Sequence, residues 1–303
     1  MPGDIPTVTC VGISVRDHVF RTERALDVGG KNLATSVSTH LGGPAANAAV
    51  TIAALGGSAR LISNLGSDTA GDAIIADLER CGVDVSLVRR LAGVSSPVSS
   101  VVVDPSGERT IINHTDHRLI DASRPVTIDD VTGSDSVLVD LRWPDGAQSA
   151  IAAAASSAIP TIVDFDLTTA EHPTDIIAAA SHVVFARSAL VQLAGTDDID
   201  DALHDVAAST EALIAVTLGG HGVRWIEQQR LRSMSAYSVD VVDTLGAGDV
   251  FHGAFALGVA AGRSVEDALR FASATSAIRC SRHSGADAFP TRADVDAFLA
   301  ADR

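Results

Sequence analysis

"DTLGAGDVFHGAF", residues 243–255, runs from a small polar turn into an Ala/Phe/Gly segment of helical character. One carboxylate, Asp249, directly follows Gly246, Ala247 and Gly248. The first N–H groups of a helix have no internal partner and sit at the positive end of its dipole. Small residues at 246–248 let an anion approach those groups, so the stretch predicts an anion hole suited to a phosphate. Asp249 is badly placed to hold that phosphate, because like charges repel. It is well placed to take a proton from a hydroxyl that then attacks phosphorus. By itself the turn fits equally an Asp that only steadies a helix dipole.

What surrounds the turn predicts its setting. Apolar runs alternate with helical patterns: "TVTCVGI", "PAANAAVTIAALGG", "RLISNLG", "TAGDAIIADLERCG", and again from "SVLVDLR" through "TIVDFD" and "HVVFAR" to "ALIAVTLGG". Strand then helix, repeated at this spacing, predicts βαβ units and a mainly parallel sheet covered on both faces. The last third is mostly helical, apart from a hairpin around "GVRWIEQQRLRSMSAYS". Hydrophobic residues make up 46% of the 303-residue chain and aromatic ones only 4%. The core is therefore built from Ala, Val, Leu and Ile, the material of buried parallel strands.

Two segments break the rhythm. Residues 14–40 and 97–114 ("PVSSVVVDPSGERTIINH") show β-branched alternation without a following helix. They predict a small antiparallel sheet, a discontinuous lid subdomain standing off an α/β domain made of 1–13, 41–96 and 115–303.

A net charge of −16 disfavours nucleic-acid and anionic-membrane partners, which reward a basic surface. Cys10, Cys81 and Cys280 are few and widely spaced, which suits a reducing compartment. The N-terminus lacks the pattern of a signal peptide, and no apolar run is long enough to span a bilayer. The expected location is the cytoplasm. Of the 22 basic residues, Lys31 is the only lysine. It is either the residue of an Arg-biased sequence or a compact ammonium for which a guanidinium is no substitute.

In open parallel sheets, ligands collect outside the carboxyl ends of the strands. Those ends carry Asp17 after "VGISVR", Arg142 after "SVLVDL", Asp164 and Asp166 in "TIVDFD", and Thr217-Leu218-Gly219. "TLGGHG" at 217–222 is a second Gly-rich turn, suited to a nucleotide edge or to an ordinary strand-to-hairpin connection. The common phosphate motifs are missing. "GGKN" has Ala25 where a P-loop needs its first Gly, and only Gly12 follows the first strand, which disfavours a nicotinamide dehydrogenase.

Together these residues resemble the PfkB/ribokinase family of carbohydrate kinases over essentially the whole chain. "DTLGAGDVFHGAF" is similar to its C-terminal signature. "GGPAANAAVTIAALGGSARLISNLGSDTAGDAIIADLERCGVD" is similar to its N-terminal one. The resemblance implies a ribokinase-like three-layer α/β/α sandwich with a β-sheet lid. It also implies ATP with Mg²⁺, and phosphoryl transfer to a sugar hydroxyl. Carried over by position, it makes Asp249 the catalytic base and Gly246, Ala247 and Gly248 the anion hole. Asp17, Gly43 and Asn47 fall where the family contacts the sugar, and Thr217, Gly219 and Gly222 match its nucleotide turn. The family's Asn-x-x-Glu is absent, its place taken by Arg187-Ser188-Ala189-Leu190, which leaves Asp164 and Asp166 as candidates for the metal.

Within the family, "GGKNLA", "GERTIINH", "DLRWPDGA" and "RFASATSAIRCSR" are most similar to the sulfofructose kinases, which phosphorylate 6-deoxy-6-sulfofructose. A sulfonate needs cationic and amide donors converging from different elements. Lys31 and Asn113 on the lid and Arg142 at a strand end are the candidates. Separately, each has an ordinary explanation: a solvated lid residue, a turn former, a partner for Asp140 or Asp145. The expected reaction makes the 1-phosphate. The alternatives are fructose, ribose or fructose 6-phosphate as acceptor, or a sugar-binding regulator without catalysis. The resemblance also implies a homodimer through the lid sheets. His252 is expected to touch substrate or merely to pack, and Trp143 to pack at its strand end.

Overall fold

The computed structural model describes residues 5–121, 124–166, 170, 173–283, 285 and 288–302. An eight-stranded sheet organises them. Numbered along the chain, its strands lie in the order β14 (Arg230–Met234), β13 (Val223–Glu227), β12 (Leu213–Thr217), β11 (His182–Ala186), β10 (Thr161–Phe165), β9 (Ser136–Asp140), β1 (Thr7–Val11) and β4 (Ser58–Ile62). From β12 to β4 every neighbouring pair is parallel, while β13 and β14 turn back antiparallel. The β13–β14 hairpin turns on Gln228 and Gln229, whose φ values of 50° and 64° are those of a tight primed turn.

The strands are apolar on both faces because both faces are covered. Ile162, Val184 and Ala215 point into one core with helices α1 (Pro44–Ala54), α2 (Thr69–Arg80), α9 (Ala247–Ala260), α10 (Val265–Cys280) and α11 (Arg292–Ala301). Val163, Val183, Ile214 and Val216 point into the other, with α4 (Ile128–Val131), α5 (Pro144–Ser156), α6 (Pro173–Ala179), α7 (Arg187–Ala194) and α8 (Ile199–Ala207). A short helix α3 (Arg118–Asp121) connects the lid to this second layer. The result is the expected three-layer α/β/α sandwich. Trp143, buried at the start of α5, packs there as expected.

Helices α1 and α9 approach unusually closely, and that approach builds the site. Four of the seven buried residues of α1 are Ala, and a Cβ on Gly253 of α9 would lie only 2.7 Å from the Ala48 carbonyl oxygen. Larger residues would hold the two helix N-termini apart.

The lid is a four-stranded sheet in the order β3 (Ala34–Gly42), β2 (Val15–Thr22), β7 (Val98–Val103) and β8 (Arg109–His114). Its β2–β7 pair is parallel and the other two are antiparallel. Val19, Val101 and Val103 on its inner face pack against Leu245, just ahead of the Gly-rich turn. A two-stranded ribbon of β5 (Asn64–Gly66) and β6 (Arg89–Leu91) was not foreseen. Asp17 is a correction. It does not end the first strand, because the chain breaks out of β1 at Gly12 and Asp17 lies inside β2. Among the described residues, no helix is long and apolar enough to cross a membrane.

Candidate active site

The Gly-rich turn opens α9. Gly246 caps the helix with φ 72°, and Asp249 falls in the first turn. Nothing lies within 4 Å of where a Cβ on Gly248 would stand, so the space beside this residue is open. Asn47 of α1 donates from Nδ2 to Oδ2 of Asp249 at 2.7 Å. Its own helix starts at Gly43, whose φ of 96° turns the chain from the lid into α1.

The turn is the shared wall of two cavities. Gly246 and Asp249 face one of about 290 Å³, which Asp17, Gly43 and Asn47 also line. Ala247 and Gly248 face another of about 260 Å³, lined by Thr217, Gly219 and Gly222. In that second wall, Gly222 has φ 86° and a Cβ there would overlap the Met234 carbonyl. Ten of the residues singled out from the sequence therefore meet around one helix N-terminus.

The three sulfonate candidates line neither cavity. Lys31 sits exposed on the loop between β2 and β3. Asn113 is in register with Ser99 and, through it, with Asp17 and His40 across the lid, and donates from Nδ2 to the Ser99 hydroxyl at 3.0 Å. Arg142 pairs with Asp166 at 3.1 Å rather than with Asp140 or Asp145 side chains.

Other lining residues carried no signal in the sequence. Arg16, His40, Asp77, Arg80 and Arg279 border the first cavity, and Tyr237, Phe251 and Ser276 the second. Arg16 and Arg80 both pair with Asp77. Asp140 is the other omission. Buried at the end of β9, it accepts from the backbone N–H groups of Ile13 (2.9 Å), Ala45 (3.1 Å) and Arg142 (3.0 Å). One carboxylate thus ties the ends of β1 and β9 to the start of α1, and Gly12 leaves room for it. The available signal was a charged residue closing the otherwise apolar "SVLVD".

Electrostatics set the acids apart. Burial, and then repulsion from Asp164, push the Asp249 carboxyl up to about 6, although Asn47 and His252 favour its charged form. Burial raises Asp140 to about 7 against the pull of its backbone N–H partners. Burial also raises Asp17, partly offset by its hydrogen bond from Ser99. A base whose proton affinity lies near the working pH is what general-base catalysis needs.

The two metal candidates are accounted for differently. Asp164 is buried against His252, and Asp166 pairs with Arg142. Among the described residues, no three His, Cys, Asp or Glu side chains converge to hold a metal ion. The described residues alone do not supply the octahedral oxygen cage that Mg²⁺ requires.

Comparison with known proteins finds relatives along nearly the whole chain. The model of the pfkB family carbohydrate kinases matches residues 6–292. An ATP-dependent ribose-1-phosphate kinase of Halopiger xanaduensis is 28% identical, over 93% of this chain and 94% of its own. Fructokinase-1 of Oryza sativa is 29% identical, over 84% and 86%. A solved Agrobacterium tumefaciens protein, provisionally classed as a ribokinase, superposes with a TM-score of 0.93 at 34% identity, covering 99% of both chains. The Arabidopsis thaliana ribokinase solved with ribose and ATP gives 0.86 at 25% identity, covering 97% of this chain and 98% of its own.

Proposed function

The chain belongs to the pfkB family of carbohydrate kinases, and from that premise we propose that it transfers the γ-phosphate of ATP to the primary hydroxyl of a ketose, 6-deoxy-6-sulfofructose, giving the 1-phosphate. The observation that carries the kinase chemistry is the shared wall. Asp249 faces the cavity of Asp17, Gly43 and Asn47, while Ala247 and Gly248 face that of Thr217, Gly219 and Gly222. Acceptor and donor then meet across one turn.

In this reading the acceptor hydroxyl gives its proton to Asp249, which Asn47 holds in place. The oxygen attacks the terminal phosphorus as the bond from that phosphorus to the bridging oxygen breaks and ADP leaves, and the N–H groups of 246–248 receive the charge that spreads over the phosphoryl oxygens. Thr217, Gly219 and Gly222 border the nucleotide. Mg²⁺ accompanies the ATP and neutralises phosphate charge. A sugar-binding regulator without catalysis has no use for a base of raised proton affinity at a helix N-terminus.

The sulfonate rests on narrower support: the sequence stretches around Lys31, Asn113 and Arg142, and the lid row that joins Asn113 to Asp17. For the three to meet on one group, the lid must swing toward the carboxyl end of β9. Ribose, ribose 1-phosphate and fructose appear in the names of relatives. The test is therefore a side-by-side assay with sulfofructose, fructose 6-phosphate, fructose and ribose. Sulfofructose is expected to give the highest kcat/KM, and a clear preference for a neutral sugar overturns the sulfonate. Arg142→Ala is expected to lower kcat/KM for the anionic sugars by about ten- to a hundred-fold, the loss of one charge-assisted contact of about 1.5–3 kcal/mol, and to spare the neutral ones.

The same reading includes a homodimer through the lid. On the face opposite Asp17, Phe20 stands in register with Val37 and Val102, and Ile112 lies 69% exposed nearby. A second copy would cover this stripe and the lid's sheet edges. Val37→Glu combined with Ile112→Glu should then halve the mass measured by light scattering. An unchanged mass removes the lid from the interface.

A further inference from the structure

His252 is a buried ionisable group to which phosphoryl transfer as described gives no task. It stands on α9 one turn after Asp249 and is 3% exposed. Its Nε2 lies 3.3 Å from the Val184 carbonyl oxygen, and its Nδ1 3.2 Å from Oδ2 of Asp164. A carbonyl only accepts, so Nε2 carries a hydrogen. The Asp164 contact is off the line of a good hydrogen bond. Yet a bare Nδ1 would turn its lone pair toward a carboxylate at 3.2 Å, and that contact favours a proton on Nδ1 as well.

The charge has a clear counterpart. Asp164 is 7% exposed, and its field bears on both Asp140 and Asp249. In a poorly solvated interior that repulsion is much stronger than in water. Alone, it would favour a protonated Asp249, which cannot accept the acceptor's proton.

We infer that His252 is a positioning residue of the phosphoryl-transfer site, a buried imidazolium that cancels the charge of Asp164 beneath the catalytic turn and keeps Asp249 deprotonated near neutral pH. This rests on Asp249 being the base. The other groups acting on Asp249 are Asn47 of α1, Asp166 after β10 and Arg279 of α10. Burial by itself would lower the proton affinity of His252, but Asp164 and then Asp249 outweigh it and raise it above an ordinary histidine.

His252→Gln removes the charge and keeps an amide donor. With the wild type, the acid limb of kcat/KM is expected near pH 6. In the variant its midpoint should move up by about one unit, a tenfold loss on the acid side with little change on the alkaline plateau. Adding Asp164→Asn removes both members of the pair and should bring the midpoint back toward the wild type, which lost packing would not do. An unmoved midpoint with activity lowered equally at every pH overturns the inference. Near wild-type turnover by Asp249→Asn instead overturns the base on which it rests. A readout independent of variant folding comes from ¹⁵N-histidine spectra of the wild type. The ring with contacts to Val184 should stay doubly protonated above the ordinary histidine range, and a neutral ring there also overturns the inference.

Discussion

Asp249→Asn is expected to retain less than about 1% of wild-type kcat and yet to fold more stably at neutral pH. The first half follows from general-base catalysis, which contributes roughly 10²–10⁴ in rate. An amide has the shape of the carboxylate and can still accept from Asn47, so the pocket survives while the proton acceptor does not. The second half follows from linkage. The carboxyl is raised from 3.8 to about 6 in the folded chain, so the native state binds the proton more tightly than the unfolded one. That advantage is fully present below pH 4 or so and is lost as pH rises through the folded value. At pH 7.5 the ionised group costs the native state on the order of 1–3 kcal/mol. Asn removes that cost, and Tm should rise by several degrees. Turnover near the wild-type level would exclude Asp249 as the base, and a lowered Tm would contradict the electrostatic account.

Gly43→Ala is expected to lose about 2–5 kcal/mol of stability and most of the activity together. Gly43 has φ 96°, and an added Cβ would meet the Ile13 carbonyl oxygen at 2.5 Å and the Ser14 Cα at 2.9 Å. Both obstacles are backbone, so no side chain can swing away. Strain of about 1–3 kcal/mol adds to an overpacking cost of similar size. The displacement reaches catalysis because the Asn47 N–H donates to the Gly43 carbonyl at 2.9 Å. Moving that turn moves the side chain that holds Asp249. Gly219→Ala is the control, since its φ is also positive, at 55°, but nothing lies within 4 Å of an added Cβ. Thermal unfolding of the two variants should show a much larger loss for position 43. Equal losses would mean that backbone conformation alone, and not the clash, sets the cost.

These two positions show what was legible in advance. The turn 246–249 could be read because its chemistry is local: small residues, a helix start and an acid within one turn. The alternation of strand and helix was legible for the same reason, since periodicity along a few residues decides which faces are apolar. Gly43 and Asn47 were legible only through family resemblance, because their meaning depends on a helix that pairs with another far along the chain.

By itself, the sequence determined the α/β sandwich and pointed to the turn proposed to meet the phosphate. Tertiary structure alone decided that this turn divides two cavities, that Asp17 lies inside β2 and not at the end of the first strand, and that Arg142 pairs with Asp166. It also decided that Asp140 knots three backbone segments and that His252 answers the charge of Asp164. The reason is distance along the chain. Asn47 and Asp249 are 202 residues apart and meet only because Ala-rich α1 lets Gly253 of α9 approach it. Local propensity shapes a turn, but which charges face each other in the dark between two helices is set by how closely those helices pack.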